Sequence, residues 1–360
     1  VTETDASRGP VAALLLAEVA AVPRVVPDRV IAVPVTTVWS SPEAPRLADH
    51  LVLKGRPEPA AWVRACATEP DHGGLLGRIE TQALLGEPVR VHEERDGFAR
   101  VTLSWQPSSL DSEGYPGWVP LDHLGPVDHK LGDSHDLLVV TDRVVPSYIW
   151  RGHGVDGEWE QIQLSYGTVV SSDPVSDAGR EVEPPPALGS SNDGVEMRPV
   201  HAGGRTLWVP APSLAPLPRA LPRSGAEIVA EVERFLGLGY LWGGMSGFGI
   251  DCSGLVHLVH RRLGMVLARD AHDQSLYGVG EKLSGGAAGG LVFFARGTAQ
   301  IHHVGILSGP GEAGPGEAGP GEAGPGEMVH APMSGHTVER RSLSDSPYRE
   351  TVVAVRRTVA

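Results

Sequence analysis

Twice in this chain a run of short alternating strands closes on Trp-Val-Pro, at Trp118-Val119-Pro120 and again at Trp208-Val209-Pro210. The first run reads IAVPVTTVW, PVRVHEE, FARVTLSW and GWVPLDHL; the second reads DLLVVTDRVV, EWEQIQL, GTVVSS and RTLWVPAPSL. Apolar residues at alternate positions, broken by closely spaced Gly and Pro turns, are the pattern of small β-barrels. The shared ending predicts two related barrels, over residues 30–130 and 131–218. A helical insertion containing PAAWVRAC is expected within 47–75, and the polar, Pro-rich stretch 181–194 reads as an exposed excursion. Ahead of both, within 1–29, VAALLLAEVAAV (11–22) reads as a short amphipathic helix rather than a signal peptide, because Glu18 interrupts its apolar run.

After the proline-stiffened linker LAPLPRALPR (214–223) the texture changes, and residues 219–360 read as an α+β domain. Ser224 and Glu227 have capping-box spacing and open the helix AEIVAEVERFLG, and a second helix runs through CSGLVHLVHRRLG to Gly264. Strand-like runs follow at 290–296, 301–307, 328–331 and 351–357. Between two of them lies GPGEA repeated with period five (309–327), which excludes collagen and reads as a tolerated expansion of a surface hairpin.

The stretch Gly249-Ile-Asp-Cys-Ser-Gly-Leu carries the chemistry. Its glycines force a tight loop, Asp251 is placed to cap, and Cys252 opens an apolar-periodic helix marked by Leu255, Val256 and Val259. A cysteine at a helix N-terminus meets the positive end of the dipole, which predicts a lowered thiol pKa and a nucleophile. A thiolate needs a base and the base an orienting partner. His303 in HVGIL and His330 in MVHA sit in apolar strand runs joined by the Gly-rich segment. His302 competes with His303; strand alternation allows only one to face the cysteine, and periodicity does not choose.

Several classes fall away on composition. With 44 acidic and 30 basic side chains the 360-residue chain carries −14, and no Lys/Arg cluster offsets that field, so nucleic acid is excluded as a partner. An acidic chain does suit a ligand with a free amine. Cys66 and Cys252 alone make no disulfide framework, and Cys66 reads as a buried thiol. His257-Leu-Val-His260 is not an HExxH pattern and no second cysteine lies near Cys252, so neither a metal nor a cofactor is expected. No run reaches the roughly 20 apolar residues of a membrane span. A soluble, cytoplasmic monomer is expected, or a secreted one if the N-terminus has been trimmed.

YLWGG…GIDCSGLV, RDAHDQ (269–274), HVGI and MVHA together resemble the NlpC/P60-type cysteine peptidases, a papain-like group, over about 224–357. The resemblance chooses His303 as the base and assigns His330 to orient it. VPVTTVWSSPE, TQALLGE (81–87) and GYPGWVP (114–120) are similar to a narrower group, the γ-D-glutamyl-L-diamino acid endopeptidases with two bacterial SH3 domains. That likeness implies an α+β, papain-like catalytic domain behind two SH3-like barrels, the first of which walls the active site. It implies a murein tripeptide or tetrapeptide substrate with a free N-terminal L-Ala, cut between γ-D-Glu and diaminopimelate or lysine. Glu87, Tyr115, Asp251, Ser253 and Asp270 would surround the amine, with the Tyr240 hydroxyl and the Cys252 amide as oxyanion donors. A secreted autolysin of intact wall, an acyltransferase or amidase, and a wall-binding module with a dead catalytic domain are the rival readings. All three triad positions are filled, which disfavours the last.

Overall fold

The alternating runs fold into two antiparallel sheets of seven strands each. The computed structural model describes residues 27–67, 74–127, 137–153, 156–172, 195–218, 224–277, 287–296, 301–311, 324–344 and 351–358. The expected helix at 11–22, the excursion at 181–194, the linker tail 219–223 and the repeat core 312–323 lie outside these residues.

The first sheet holds β1 (Arg29–Ile31), β2 (Val35–Trp39), β3 (Ile79–Leu84), β4 (Pro88–Arg95), β5 (Phe98–Leu103), β6 (Tyr115–Pro120) and β7 (Leu124–Gly125). The second holds β8 (Leu137–Val140), β9 (Val144–His153), β10 (Asp156–Ser165), β11 (Val169–Ser171), β12 (Met197–Ala202), β13 (Arg205–Pro210) and β14 (Leu214–Pro216). Their orders are β3-β2-β6-β5-β4-β1-β7 and β10-β9-β13-β12-β11-β8-β14, one topology used twice. Each Trp-Val-Pro ends the sixth strand of its unit; a 3-10 turn follows, and the last strand returns to pair with the first. Among the described residues the end strands of each sheet do not pair with each other, so neither sheet closes on itself there. The short last strands explain this, since two and three residues cannot carry a second ladder. Leu214–Pro216, expected as linker, is the strand β14 instead.

The insertion forms a 3-10 turn (Leu47–Val52) and α1 (Pro59–Cys66). Pro59 starts α1, where its missing N–H has no intrahelical partner to lose. Trp62, Val63 and Cys66 are buried, and the Trp62 indole donates to Asp49 at 2.9 Å.

The rest of the chain builds α2 (Gly225–Glu233), the hairpin β15 (Met245–Ser246) and β16 (Gly249–Ile250), α3 (Cys252–Arg262) and α4 (Ala271–Tyr277). A five-stranded sheet follows, from β17 (Leu291–Phe294), β18 (His303–Gly311), β19 (Gly324–His330), β20 (Glu339–Ser342) and β21 (Val352–Arg356), ordered β20-β19-β18-β17-β21. Ser224 stands at the N-cap of α2 without the side-chain cap bond that a capping box requires. The ends of the GPGEA segment extend the β18–β19 hairpin, with Gly309 opposite Glu327 and Gly311 opposite Gly324.

Sequence periodicity placed one face of α3 in the core; in fact every residue from Cys252 to Arg261 is buried. Its polar side chains are bonded internally: the His257 Nδ1–H donates to the Leu267 carbonyl and the His260 Nδ1–H to that of Val256, both at 2.8 Å. Burial lowers His260 from its ordinary 6.5 to about 4 and holds His257 well below 6.5. As pH falls below 6.5 the unfolded chain therefore binds protons that the fold refuses, and stability should be lost progressively down to about 4. The His260 shift alone is worth about 3 kcal/mol. Thermal unfolding followed downward from neutral pH should show this fall; a flat profile over that window would contradict it.

Candidate active site

Cys252 is the first residue of α3, and the chain reaches it through a tightly packed loop. Asp251 is the N-cap, its Oδ1 accepting the Gly254 N–H at 2.6 Å. A Cβ on Gly254 would lie 2.3 Å from the Gly244 carbonyl oxygen, so glycine alone lets the helix start pack against the Tyr240–Gly244 loop. The backbone N–H groups of Val304 and Ser253 favour the thiolate. Burial nevertheless dominates, and with the Asp251 charge it pushes the thiol up to about 12. The dipole argument from sequence had the opposite sign. It counted the helix end and not the desolvation of a cysteine that is only 8% exposed.

The sulfur's contact with the Val304 amide places it beside the start of β18, where His303 is buried and His302 exposed, as alternation requires of neighbours. His303 Nε2 lies 2.8 Å from His330 Nδ1, the rings edge to face at 5.0 Å. Gly305 permits this approach, since a Cβ there would lie 2.8 Å from Met328 Sδ and 3.3 Å from His330 Cβ. Phe294, opposite His303 in β17, packs its ring 5.4 Å from the imidazole and helps exclude water. Burial, then His330, holds His303 well below 6.5. Burial thus favours the neutral form of both the thiol and the imidazole.

The other expected residues divide. The Tyr115 hydroxyl donates to Asp270 Oδ2 at 3.0 Å, joining the first sheet to the segment before α4. Burial raises the Asp270 carboxyl, partly countered by Arg269 and Tyr115. Glu80 of β3, which the sequence reading did not single out, is raised by burial and by the Asp270 charge. Glu80, Asp270 and Tyr115 therefore form one half-buried acidic group between the first sheet and the catalytic domain. Its signal in the sequence was slight: Glu80 is the only ionisable residue in the strand IETQAL.

Asp251 and Ser253 are held by Arg269, another residue that sequence reasoning missed. Its buried guanidinium donates to Asp251 Oδ2 at 2.7 Å, to Ser253 Oγ at 2.9 Å and to Thr81 Oγ1 at 2.7 Å. Asp251 is thus charge-balanced and serves as helix cap and Arg269 anchor.

Glu87 lies elsewhere. Its Oε1 accepts Arg261 Nη1 at 2.7 Å and the Leu84 N–H at 2.9 Å, and its Oε2 accepts Gln106 Nε2 at 3.2 Å. Both members of the ion pair are 1% exposed, so Glu87 fastens the first sheet to α3 and has no free oxygen for a ligand. Gln106 also accepts from Thr81 Oγ1 at 2.8 Å, which makes one buried chain from Arg261 through Glu87, Gln106 and Thr81 to Arg269. Gln82 adds to the joint, its Oε1 accepting the Met245 N–H and the Ser246 hydroxyl at 3.0 Å each.

Tyr240 is buried and bridges to Ile250, two residues before Cys252, so its backbone runs beside the loop that leads into α3. Among the described residues no His/Cys/Asp/Glu group is arranged to hold a metal.

Comparison with known proteins agrees with this construction. Residues 237–357 match the NlpC/P60 family, and residues 70–124 match the bacterial dipeptidyl-peptidase SH3 domain. The chain is 30% identical over 330 residues to the γ-D-glutamyl-L-lysine dipeptidyl-peptidase of Bacillus subtilis, covering 90% of this chain and 96% of that protein. It is 27% identical over 329 residues to the Bacillus cereus protein of the same name, covering 89% and 88%. A crystal structure of an NlpC/P60 family protein from Bacillus cereus superposes with a TM-score of 0.73 at 25% identity, over 92% of this chain and 99% of that one. With a buried thiol at a helix start, a histidine pair beside it and a match along nine-tenths of its length, this chain belongs to the NlpC/P60 family and is a cysteine peptidase.

Proposed function

We propose that the protein hydrolyses the bond between γ-D-Glu and the L-diamino acid of murein peptides whose N-terminal L-Ala is free, releasing L-Ala-D-Glu. The observation that carries this reading is the pair of raised, half-buried carboxyls, Glu80 and Asp270, with the Tyr115 hydroxyl on Asp270. The nearby Arg269 is paired with Asp251 and only partly offsets the charge of these two acids, and an alanine ammonium would supply the rest. An acylated amine leaves that acidic charge unmatched, so the site selects peptides already released from the glycan strand, as expected of wall-peptide recycling inside the cell. The names of the Bacillus relatives support the same bond. The second sheet, with its repeated topology, is a second SH3-like unit in this reading.

Cys252 attacks the γ-glutamyl carbonyl while His303 takes the thiol proton. The tetrahedral oxyanion is met by the Cys252 N–H and the Tyr240 hydroxyl. Collapse breaks the C–N bond, and His303 returns the proton to the departing amine of the diamino acid. Water, deprotonated by His303, then cleaves the thioester and restores the thiol.

Mass spectrometry of L-Ala-γ-D-Glu-diaminopimelate and its N-acetyl copy tests the reading. Cleavage of the free-amine peptide alone is expected; equal cleavage of both would point instead to an autolysin. Glu80→Gln should raise KM by about tenfold with kcat changed far less, because one charge-assisted contact worth about 1.5 kcal/mol is lost from ground and transition states alike. An unchanged KM would remove Glu80 from the amine subsite.

A further inference from the structure

The line of polar groups behind the nucleophile does not end at His330. On the far side of that ring, Glu339 Oε1 lies 3.5 Å from His330 Nε2. β20 delivers it there, since Glu339 is the register partner of His330 in the β19–β20 pair, and register partners project to the same face. Arg341 Nε holds the same carboxylate oxygen at 2.6 Å. His330 is fully buried, whereas Glu339 is 29% exposed and keeps one edge in water.

The chemistry of each atom along this line fixes the next. A carboxylate only accepts hydrogen bonds, so the His330 nitrogen that faces it, Nε2, carries the ring's proton. In a neutral imidazole the other nitrogen is then bare, and His330 Nδ1 becomes the acceptor. That atom lies 2.8 Å from His303 Nε2, which must therefore be the donor. His303 is neutral too, so its lone pair falls on Nδ1, the only ring nitrogen left for the sulfur. Without a fixed acceptor beyond it, His330 could carry its proton on Nδ1, and His303 would then hold its own on Nδ1, with no lone pair available for the thiol.

We propose that Glu339 is a positioning residue that sets the tautomers of His330 and His303 and so presents a bare His303 Nδ1 to Cys252. The 3.5 Å separation is long for a hydrogen bond, in keeping with catalytic contacts that tighten only when substrate is bound. This inference rests on the thiol–imidazole reading of the site, but not on the identity of the peptide.

Nitrogen NMR of the histidine rings in the full chain at neutral pH tests it without substrate. The wild type should show both His303 and His330 as the Nε2–H form. Glu339→Leu should move His330 toward Nδ1–H and lower kcat by about 10- to 100-fold, with KM within about twofold. Glu339→Gln, whose amide oxygen still accepts, should keep the wild-type tautomers and most of kcat; it also stands as the informative variant if leucine disturbs folding. An Nδ1–H His330 in the wild type would overturn the proposal, as would wild-type tautomers and turnover in Glu339→Leu. If the murein peptide proves not to be the substrate, the ring signals still decide the role of Glu339.

Discussion

Cys252→Ala should reduce peptide hydrolysis by about 10⁴-fold or more while leaving the fold in place. In the proposed mechanism the substitution removes the one atom that forms the covalent bond. The only other cysteine, Cys66, sits in α1 within the hydrophobic core. The surrounding support remains, because Asp251 still caps α3 and Arg269 still holds Asp251 and Ser253. Loss of one small buried side chain should cost only about 1 kcal/mol of stability. Cys252→Ser should be nearly as inactive. A buried hydroxyl is a far weaker acid than the thiol, and His303, held below its ordinary range, is too weak a base to ionise it. Steady-state kinetics with circular dichroism on the same samples checks both points, and turnover within about tenfold of wild type would remove Cys252 as nucleophile.

Glu87→Ala should be the most destabilising substitution at the junction of the first sheet with the catalytic domain, at about 3–5 kcal/mol. It leaves the Arg261 guanidinium without a counter-charge at 1% exposure, inside a helix buried on every side. The same substitution should leave KM for the peptide near its wild-type value in the folded protein, because Glu87 is spent on Arg261, Leu84 and Gln106. Glu80→Gln should behave in the reverse way. Replacing the pair together, Glu87→Leu with Arg261→Met, should recover much of the lost stability, since an apolar pair of similar bulk carries no desolvation penalty. Denaturant titration of the three variants checks this. A loss below about 1 kcal/mol in Glu87→Ala would contradict the buried ion pair.

These two cases show what the sequence could and could not reveal. The capped helix start at Cys252 was legible because its requirements are local: a glycine loop, a capping aspartate and an apolar-periodic helix all lie within a few residues of it. The repeated Trp-Val-Pro was legible for the same reason and led to two units of one topology. The choice between His302 and His303 was half legible, since alternation separates neighbours but does not say which face meets α3. Glu87 and Glu80 were the harder pair. Each is an acid on or beside a strand of the first sheet, and what distinguishes them is the partner across the domain junction. For Glu87 that partner is Arg261, 174 residues away, and for Glu80 it is Asp270. No pattern within either strand encodes such a contact. The thiol pKa went astray similarly, because the helix end is visible in the sequence and the burial that outweighs it is not.

The claim at the centre of this account is that Cys252 carries the acyl group of L-Ala-γ-D-Glu during turnover. Acid-quenched intact-mass analysis during rapid mixing with L-Ala-γ-D-Glu-diaminopimelate, followed by peptide mapping, tests it most directly. The account predicts a transient adduct of one L-Ala-γ-D-Glu acyl group on the peptide containing Cys252, absent with the N-acetylated copy and absent in Cys252→Ala. Release of the diamino acid at an undiminished rate by Cys252→Ala would contradict it.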